Sequence, residues 1–269
     1  MMIHPLLPKL RALKLSGMAL TLDTRSSQAV ASSLTPTEFL ALLLDDELQR
    51  RQGTRLKRSL LESGIDQTKT LAQFDFLAVP QLNRSLVLEL ANCGFVTRAE
   101  NVLVCGPTGT GKSHLVNALG FEALRRGHSV LMKSAHRLLT ELNASRADGT
   151  FGRRFARVCS VDLLIVDDFG LRPLTSQGAE DLYEIVRERY ERKAIAITSN
   201  RAFGEWPEVF GDGLLSSAAL DRLTHHSHTL VVRGQSFRQL SRRKEGFNTQ
   251  DQTWQDQDNV ATKGGRPES

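Results

Sequence analysis

Residues 106–113 read Gly-Pro-Thr-Gly-Thr-Gly-Lys-Ser, and no other stretch restricts the fold of this chain so tightly. The spacing is the full G-x-x-x-x-G-K-[ST] pattern of a phosphate-binding loop. Gly106, Gly109 and Gly111 let the backbone curl until successive N–H groups point inward at a phosphate, with Pro107, Thr108 and Thr110 completing the loop. A helix starting near Gly111 adds the positive end of its dipole. Lys112 is placed to bridge the β- and γ-phosphates as a point charge, and the Ser113 hydroxyl to hold Mg²⁺. Such a loop works only between a strand and a helix. Val102, Leu103 and Val104 precede it and a helical stripe follows, so ATP with Mg²⁺ is the expected ligand.

A second element supports that reading. Leu163, Leu164, Ile165 and Val166 form a continuous aliphatic run that suits a fully buried strand, and it ends in Asp167 and Asp168. Two acids there are costly unless a cation or water network meets them. Asp167 fits the carboxylate on the Mg²⁺ side, and Asp168 fits the base that orients the attacking water. Residues 195–200, Ile-Ala-Ile-Thr-Ser-Asn, read as another buried strand with a polar end. If that strand lies between the other two, Asn200 falls near the γ-phosphate and positions water; otherwise Asn200 starts a turn.

From about residue 100, short apolar runs near 101–105, 129–133, 162–167, 194–199 and 229–232 alternate with helical stretches near 112–126, 135–145, 151–158, 176–193 and 216–226. Alternation of this kind predicts crossover connections and a parallel sheet covered on both faces, a three-layer α/β P-loop NTPase over residues 76–245. Residues 1–75 lack strand-like runs and read as a small all-helical domain. Its clearest helix starts at Thr35, with Pro36 at the first helical position and Glu38 completing a capping box. Gly53 is a candidate break in that helix, Gly64 its end, and Leu6, Leu10 and Leu13 suggest an earlier one. Residues 246–269 are polar and predicted disordered.

Composition narrows the partners. Net charge is +5, which favours an anionic partner such as nucleic acid without establishing one. Arg50, Arg51, Arg55, Lys57 and Arg58 form one basic cluster; Arg233, Arg238, Arg242, Arg243 and Lys244 form another. Either is a solvated face or a phosphate contact. The three cysteines are too few and scattered for a disulfide framework. No run approaches the ~20 apolar residues of a membrane helix, so no membrane partner and cytoplasmic residence are expected.

Taken together, the P-loop, the Asp-Asp strand end, Thr-Ser-Asn-Arg at 198–201 and Ala-Leu-Asp-Arg-Leu at 219–223 resemble an AAA+ ATPase. Glu205-Trp206, residues 209–212, the His225, His226 and His228 group and Arg233-Gly234 with Ser236 and Arg238 resemble the IstB-like branch over roughly residues 5–245. That branch comprises ATPase helpers of insertion-sequence transposition and is related to DnaC helicase loaders. The resemblance implies Arg222 as an arginine finger reaching a neighbouring subunit, and Arg238 as a second sensor within its own. It also implies a homo-oligomer, ring or helical, assembling on duplex DNA and recruiting or stimulating a companion transposase. A helicase loader is the nearest alternative. A P-loop transferase with no need of Arg222 in trans, and a scaffold that binds ATP without turnover, stand further off. No acidic or cysteine ligand set accompanies the histidines in sequence, so phosphate or structural contacts are expected of them, not metal.

Overall fold

The computed structural model describes residues 5–234. Arg238 and the segment 246–269 lie outside the described residues. The chain divides into two compact units between Glu62 and Ser63.

The first unit is helical. Helices α1 (Leu7–Ala12), α2 (Ser16–Ala31) and α3 (Pro36–Ser63) follow one another. The expected capping box starts α3: the Thr35 N–H donates to Glu38 Oε2 at 2.8 Å, and the Glu38 N–H to Thr35 Oγ1 at 3.3 Å. Gly53 does not break the helix, and Gly64, at φ +76°, follows its end. Met18, Leu22 and Leu43 form the core, with Leu7, Leu10, Leu15 and Phe39 packed on it. Gly17 lets α2 and α3 approach closely, since a Cβ there would lie 2.7 Å from the Glu47 Cα. The buried Glu47 carboxylate accepts from the Gly17 N–H, Arg51 and Arg50, and the Arg51 hydrogen bond leads in holding its pKa near 2. Asp46 binds Arg25 of α2 through both carboxylate oxygens, at 2.8 and 2.7 Å.

The second unit opens with short helices α4 (Arg84–Leu90) and α5 (Gly94–Thr97). Five strands follow: β1 (Asn101–Cys105), β2 (Val130–Ser134), β3 (Leu163–Phe169), β4 (Ala194–Ser199) and β5 (Ser227–Val231). They form one parallel sheet in the order β2-β3-β4-β1-β5, so β4 is inserted between the P-loop strand and the strand that carries the acids. Long helices connect the strands: α6 (Lys112–Arg125), α7 (Ala135–Ala147), α8 (Phe151–Ser160), α9 (Ser176–Arg189), then α10 (Trp206–Phe210) and α11 (Gly213–Thr224). Leu103, Leu164, Val166, Ile195 and Ile197 bury one sheet face against α7, α9 and α11 residues including Leu138, Leu182, Ile185 and Leu223. On α6 the close-packed position is Gly120, where a Cβ would meet Ile165 Cδ1 at 2.7 Å. Burial explains the unbroken aliphatic runs: a strand covered on both faces has no solvent side to carry polar residues.

Candidate active site

All strands are parallel, so their C-terminal ends gather at one edge of the sheet, where ligands bind in open α/β folds. The P-loop leaves β1 there. Gly106 takes φ +155°, and a Cβ on it would lie 2.0 Å from the Val232 carbonyl oxygen. Gly109 and Gly111 are left-handed at +85° and +91°, conformations that cost a side-chain-bearing residue energy. Gly111 is the N-cap of α6, so the first free N–H groups of that helix face the loop. Lys112 is buried and donates from Nζ to the Pro107 carbonyl at 2.8 Å; Thr110 Oγ1 donates to the same oxygen at 2.9 Å. The loop is therefore held curled by its own side chains. Cys105, just before it, is buried, and burial pushes its thiol up to about 11.

The acids sit opposite. Ser113 Oγ donates to Asp167 Oδ1 at 2.9 Å, so the two expected Mg²⁺ ligands are already together. Between Val166 and Phe169 the β3–β4 register shifts, and Asp168 adopts a left-handed φ of +55°. This bulge carries β3 beyond the expected end at residue 167. Asp168 and Asn200 line one cleft of about 510 Å³ with Thr108, Gly109, Gly111, Lys112 and Ser113.

The other wall of that cleft was not read from sequence. Lys69, Gln73, Phe74 and Asp75 line it. The sequence pattern groups these residues with the N-terminal helical domain, yet the structure binds their segment to α6. Asn117 Nδ2 donates to the carbonyls of Asp66 and Lys69 at 2.7 and 3.0 Å, and His114 Nε2 lies 2.9 Å from the Thr70 carbonyl. Phe74 meets the His114 ring edge to face at 5.5 Å. The signal available in sequence was an aromatic pair, Phe74 and Phe76, in a stretch with no helical stripe.

Arg222 is elsewhere. It lies near the end of α11, whose last carbonyls accept from Asn101 Nδ2 at the start of β1. The P-loop follows the other end of that strand, five residues or roughly 15 Å away. Arg222 donates from Nη1 to Ala218 O at 2.7 Å, with its guanidinium 5.6 Å from the Tyr183 ring centre and 6.0 Å from that of Tyr190. It does not line the nucleotide cleft of its own chain. The histidines separate: His228 pairs with Glu100 at 2.9 Å, while His225 meets the Tyr190 hydroxyl at 2.7 Å. Contrary to the expectation of no acidic companion, exposed Glu191 lies beside His225 and His226 in space. Arg238 falls outside the described residues.

A P-loop after β1, paired acids at the end of β3 and a polar strand end inserted between them place this chain among the ATPases of the AAA+ class. The replication initiator DnaA, bound to AMPPCP and single-stranded DNA, has the same fold, with a TM-score of 0.53 at 25% identity over 64% of this chain and 51% of that one. DnaI shares the fold alone, at TM-score 0.54 and 19% identity over 64% of this chain and 96% of the other. The sequence goes further. Residues 8–245 match the profile of the IstB-like ATP binding proteins, and the chain belongs to that family. An insertion sequence IS21 putative ATP-binding protein of Pseudomonas aeruginosa is 36% identical over 93% of this chain and 95% of its own length. A counterpart from IS5376 of Geobacillus stearothermophilus is 33% identical over 89% and 96%. Among the described residues, no helix is long and apolar enough to cross a membrane.

Proposed function

We propose that this ATPase is a helper of DNA transposition: it assembles on target duplex DNA with ATP bound, recruits or stimulates a companion transposase, and comes apart when ATP is hydrolysed. The observation that carries the oligomeric part is the position of Arg222. A complete phosphate cradle stands at one edge of the sheet, and the arginine suited to neutralise phosphoryl charge stands near the other. An arginine there serves a neighbour's site. The insertion-sequence setting of the relatives supports transposition as the setting of this chain too.

Mg²⁺ fits the donor set, because Ser113 Oγ and Asp167 Oδ1 are hard oxygen donors 2.9 Å apart beside the phosphate loop. Bound there, it would neutralise charge on the β- and γ-phosphates. Lys112 exchanges the Pro107 carbonyl for phosphate oxygens, and Gly106, Gly109 and Gly111 offer backbone N–H groups. Asp168 accepts a proton from the attacking water, and Asn200, at the end of the inserted strand, orients that water. Arg238 would complete the site as a second sensor.

The first unit supplies the DNA contact in this reading. Arg50 and Arg51 share the Glu47 carboxylate, while Arg55, Lys57 and Arg58 are exposed one to two turns further along α3, Arg58 with an exposed ion pair to Glu62 at 3.4 Å. The test is ATPase activity and particle size measured with and without duplex DNA across a salt series. Stimulation and growth of the particle on DNA are expected, with binding that weakens steeply as salt rises. Neutralising Arg55, Lys57 and Arg58 together should flatten log affinity against log salt by up to about three units. An unchanged slope moves the contact elsewhere, and exposed Arg153, Arg154 and Arg157 on α8 come next. Identical activity and size with and without DNA would sink the proposal.

A further inference from the structure

We infer that Thr198 is a positioning residue of the ATPase site, holding Asp167 and the backbone turn of Asp168 in one hydrogen-bonded unit with β4. Its hydroxyl oxygen accepts the Asp168 N–H at 2.9 Å and donates its proton to Asp167 Oδ1. Thr198 is fully buried, so water does not substitute for either bond. The direction of the relay is fixed by inventory. A threonine hydroxyl has one proton, the Asp168 amide can only donate, and the proton therefore goes to Asp167.

Ser113 donates to the same carboxylate oxygen, at 2.9 Å. The two hydroxyls have different duties. In the reading above, Ser113 turns its oxygen to Mg²⁺, whereas the Thr198 hydroxyl bonds to the acidic turn on both sides. Thr198 is then the partner that keeps Asp167 aimed while Ser113 is occupied. The left-handed φ of Asp168 needs support of its own, since a non-glycine residue in that region is strained. Thr198 supplies it at the amide, and its neighbours continue the grip. Ser199 Oγ donates to the Phe169 carbonyl at 2.7 Å, and Arg201 Nε to the Gly170 carbonyl at 2.8 Å. The Ser199 carbonyl in turn accepts the Gly106 N–H at 3.1 Å. The end of β4, with Asn200 on it, thus ties the acidic turn to the first glycine of the P-loop.

The inference rests on ATP hydrolysis and, in one arm of its test, on Mg²⁺ at Ser113 and Asp167. Steady-state ATPase kinetics on Thr198→Val, which keeps the shape, should show kcat lowered about 10- to 100-fold. Thr198→Ser, which restores the hydroxyl, should recover kcat to within about threefold of the parent. Affinity for a fluorescent ATP analogue, measured with EDTA and with Mg²⁺, supplies a second readout. The valine variant should match the parent in EDTA and lose most of the gain that Mg²⁺ gives the parent. If the parent shows no such gain, the Mg²⁺ assignment fails by itself, and the kcat comparison still decides on Thr198. Should the valine variant melt below the assay temperature, Thr198→Ser and Thr198→Ala, which differ by one oxygen, carry the same comparison. Parent-like kcat in the valine variant overturns the inference. So does an equal loss in the serine and valine variants, which would mark Thr198 as packing alone.

Discussion

Gly106 has no room for a side chain, and that single fact ties the start of the P-loop to the chain that follows β5. The atom a Cβ would strike is the Val232 carbonyl oxygen, part of a backbone already bonded to Cys105 through the Val232 N–H at 2.8 Å. Neither partner is a flexible side-chain end. Gly106→Ala should therefore open the loop and lower ATP affinity at least tenfold in a fluorescent-analogue titration, and parent-like affinity would show that this edge of the sheet yields easily. Asp168→Asn makes the opposite prediction. The amide keeps the shape and the cleft, so ATP should remain bound while kcat falls by about 10²-fold or more, as loss of a positioned base implies. Unchanged turnover would remove Asp168 from the chemistry. The residues gathered in this cleft could be named in sequence because the roles proposed for them, toward a phosphate, a cation or a water, each ask for a particular residue type. Thr198 could not, because a threonine at a strand end looks the same whether its hydroxyl caps a turn or aims a carboxylate. Phe74 was missed for a related reason: cleft walls built by packing carry no spacing rule.

Arg189 shows what elements need where they join. It is fully buried at the end of α9 and donates to the carbonyls of Val158, Cys159, Val161, Asp162 and Ala194 at 2.6–3.4 Å. These carbonyls close α8 and open β3 and β4, so one guanidinium ties three chain ends together; of them the Asp162 carbonyl also accepts the Ala194 N–H at 3.2 Å. Burial pulls its pKa down to about 10, which still leaves it charged at neutral pH. Losing several of these bonds costs roughly 1–3 kcal/mol for each carbonyl left buried and unpaired. Arg189→Leu should lower the melting temperature by about 6–12 °C, and a shift under 2 °C would show that water reaches these carbonyls. In the sequence Arg189 stands in the run Arg187-Glu188-Arg189, and no spacing there marks it as buried. The element pattern was otherwise readable, because burial on both faces writes β1, β3 and β4 as unbroken aliphatic runs. It failed where that logic is absent. Helix α2 has only Met18, Leu22 and Gly17 buried, exposes Leu20 and Val30, and has no side-chain N-cap, so no stripe announced it. Gly53 was expected to interrupt α3, but a surface glycine costs only about 1 kcal/mol in a helix whose neighbours favour it. The boundary expected near residue 75 lies at Glu62 and Ser63, because Asn117 and His114 of α6 hold the intervening segment to the ATPase unit.

For the whole molecule the question is whether one chain is a complete enzyme. The P-loop and acids lie at one edge of the sheet, and Arg222 lies beside the start of β1, turned onto Ala218 and the rings of Tyr183 on α9 and Tyr190 just after it. If Arg222 acts on a neighbour, Arg222→Ala should bind ATP as the parent does yet fail to hydrolyse it. Lys112→Ala has the complementary defect, since its own site loses the counter-charge for the β- and γ-phosphates while its arginine remains intact to lend. Mixing these two inactive proteins on duplex DNA should then restore activity, because some interfaces pair an intact cradle with an intact arginine. An arginine finger contributes roughly 10³–10⁵ in rate, so a minority of such interfaces stands clear of background. Co-sedimentation of differently tagged variants establishes that mixed assemblies form. Activity should depend on the mixing ratio, with a maximum between the pure samples. Mixed assemblies that stay inactive would count against exchange of the arginine. Full activity of Arg222→Ala by itself at high dilution would show instead that each chain works alone, and the oligomeric reading would fall with it.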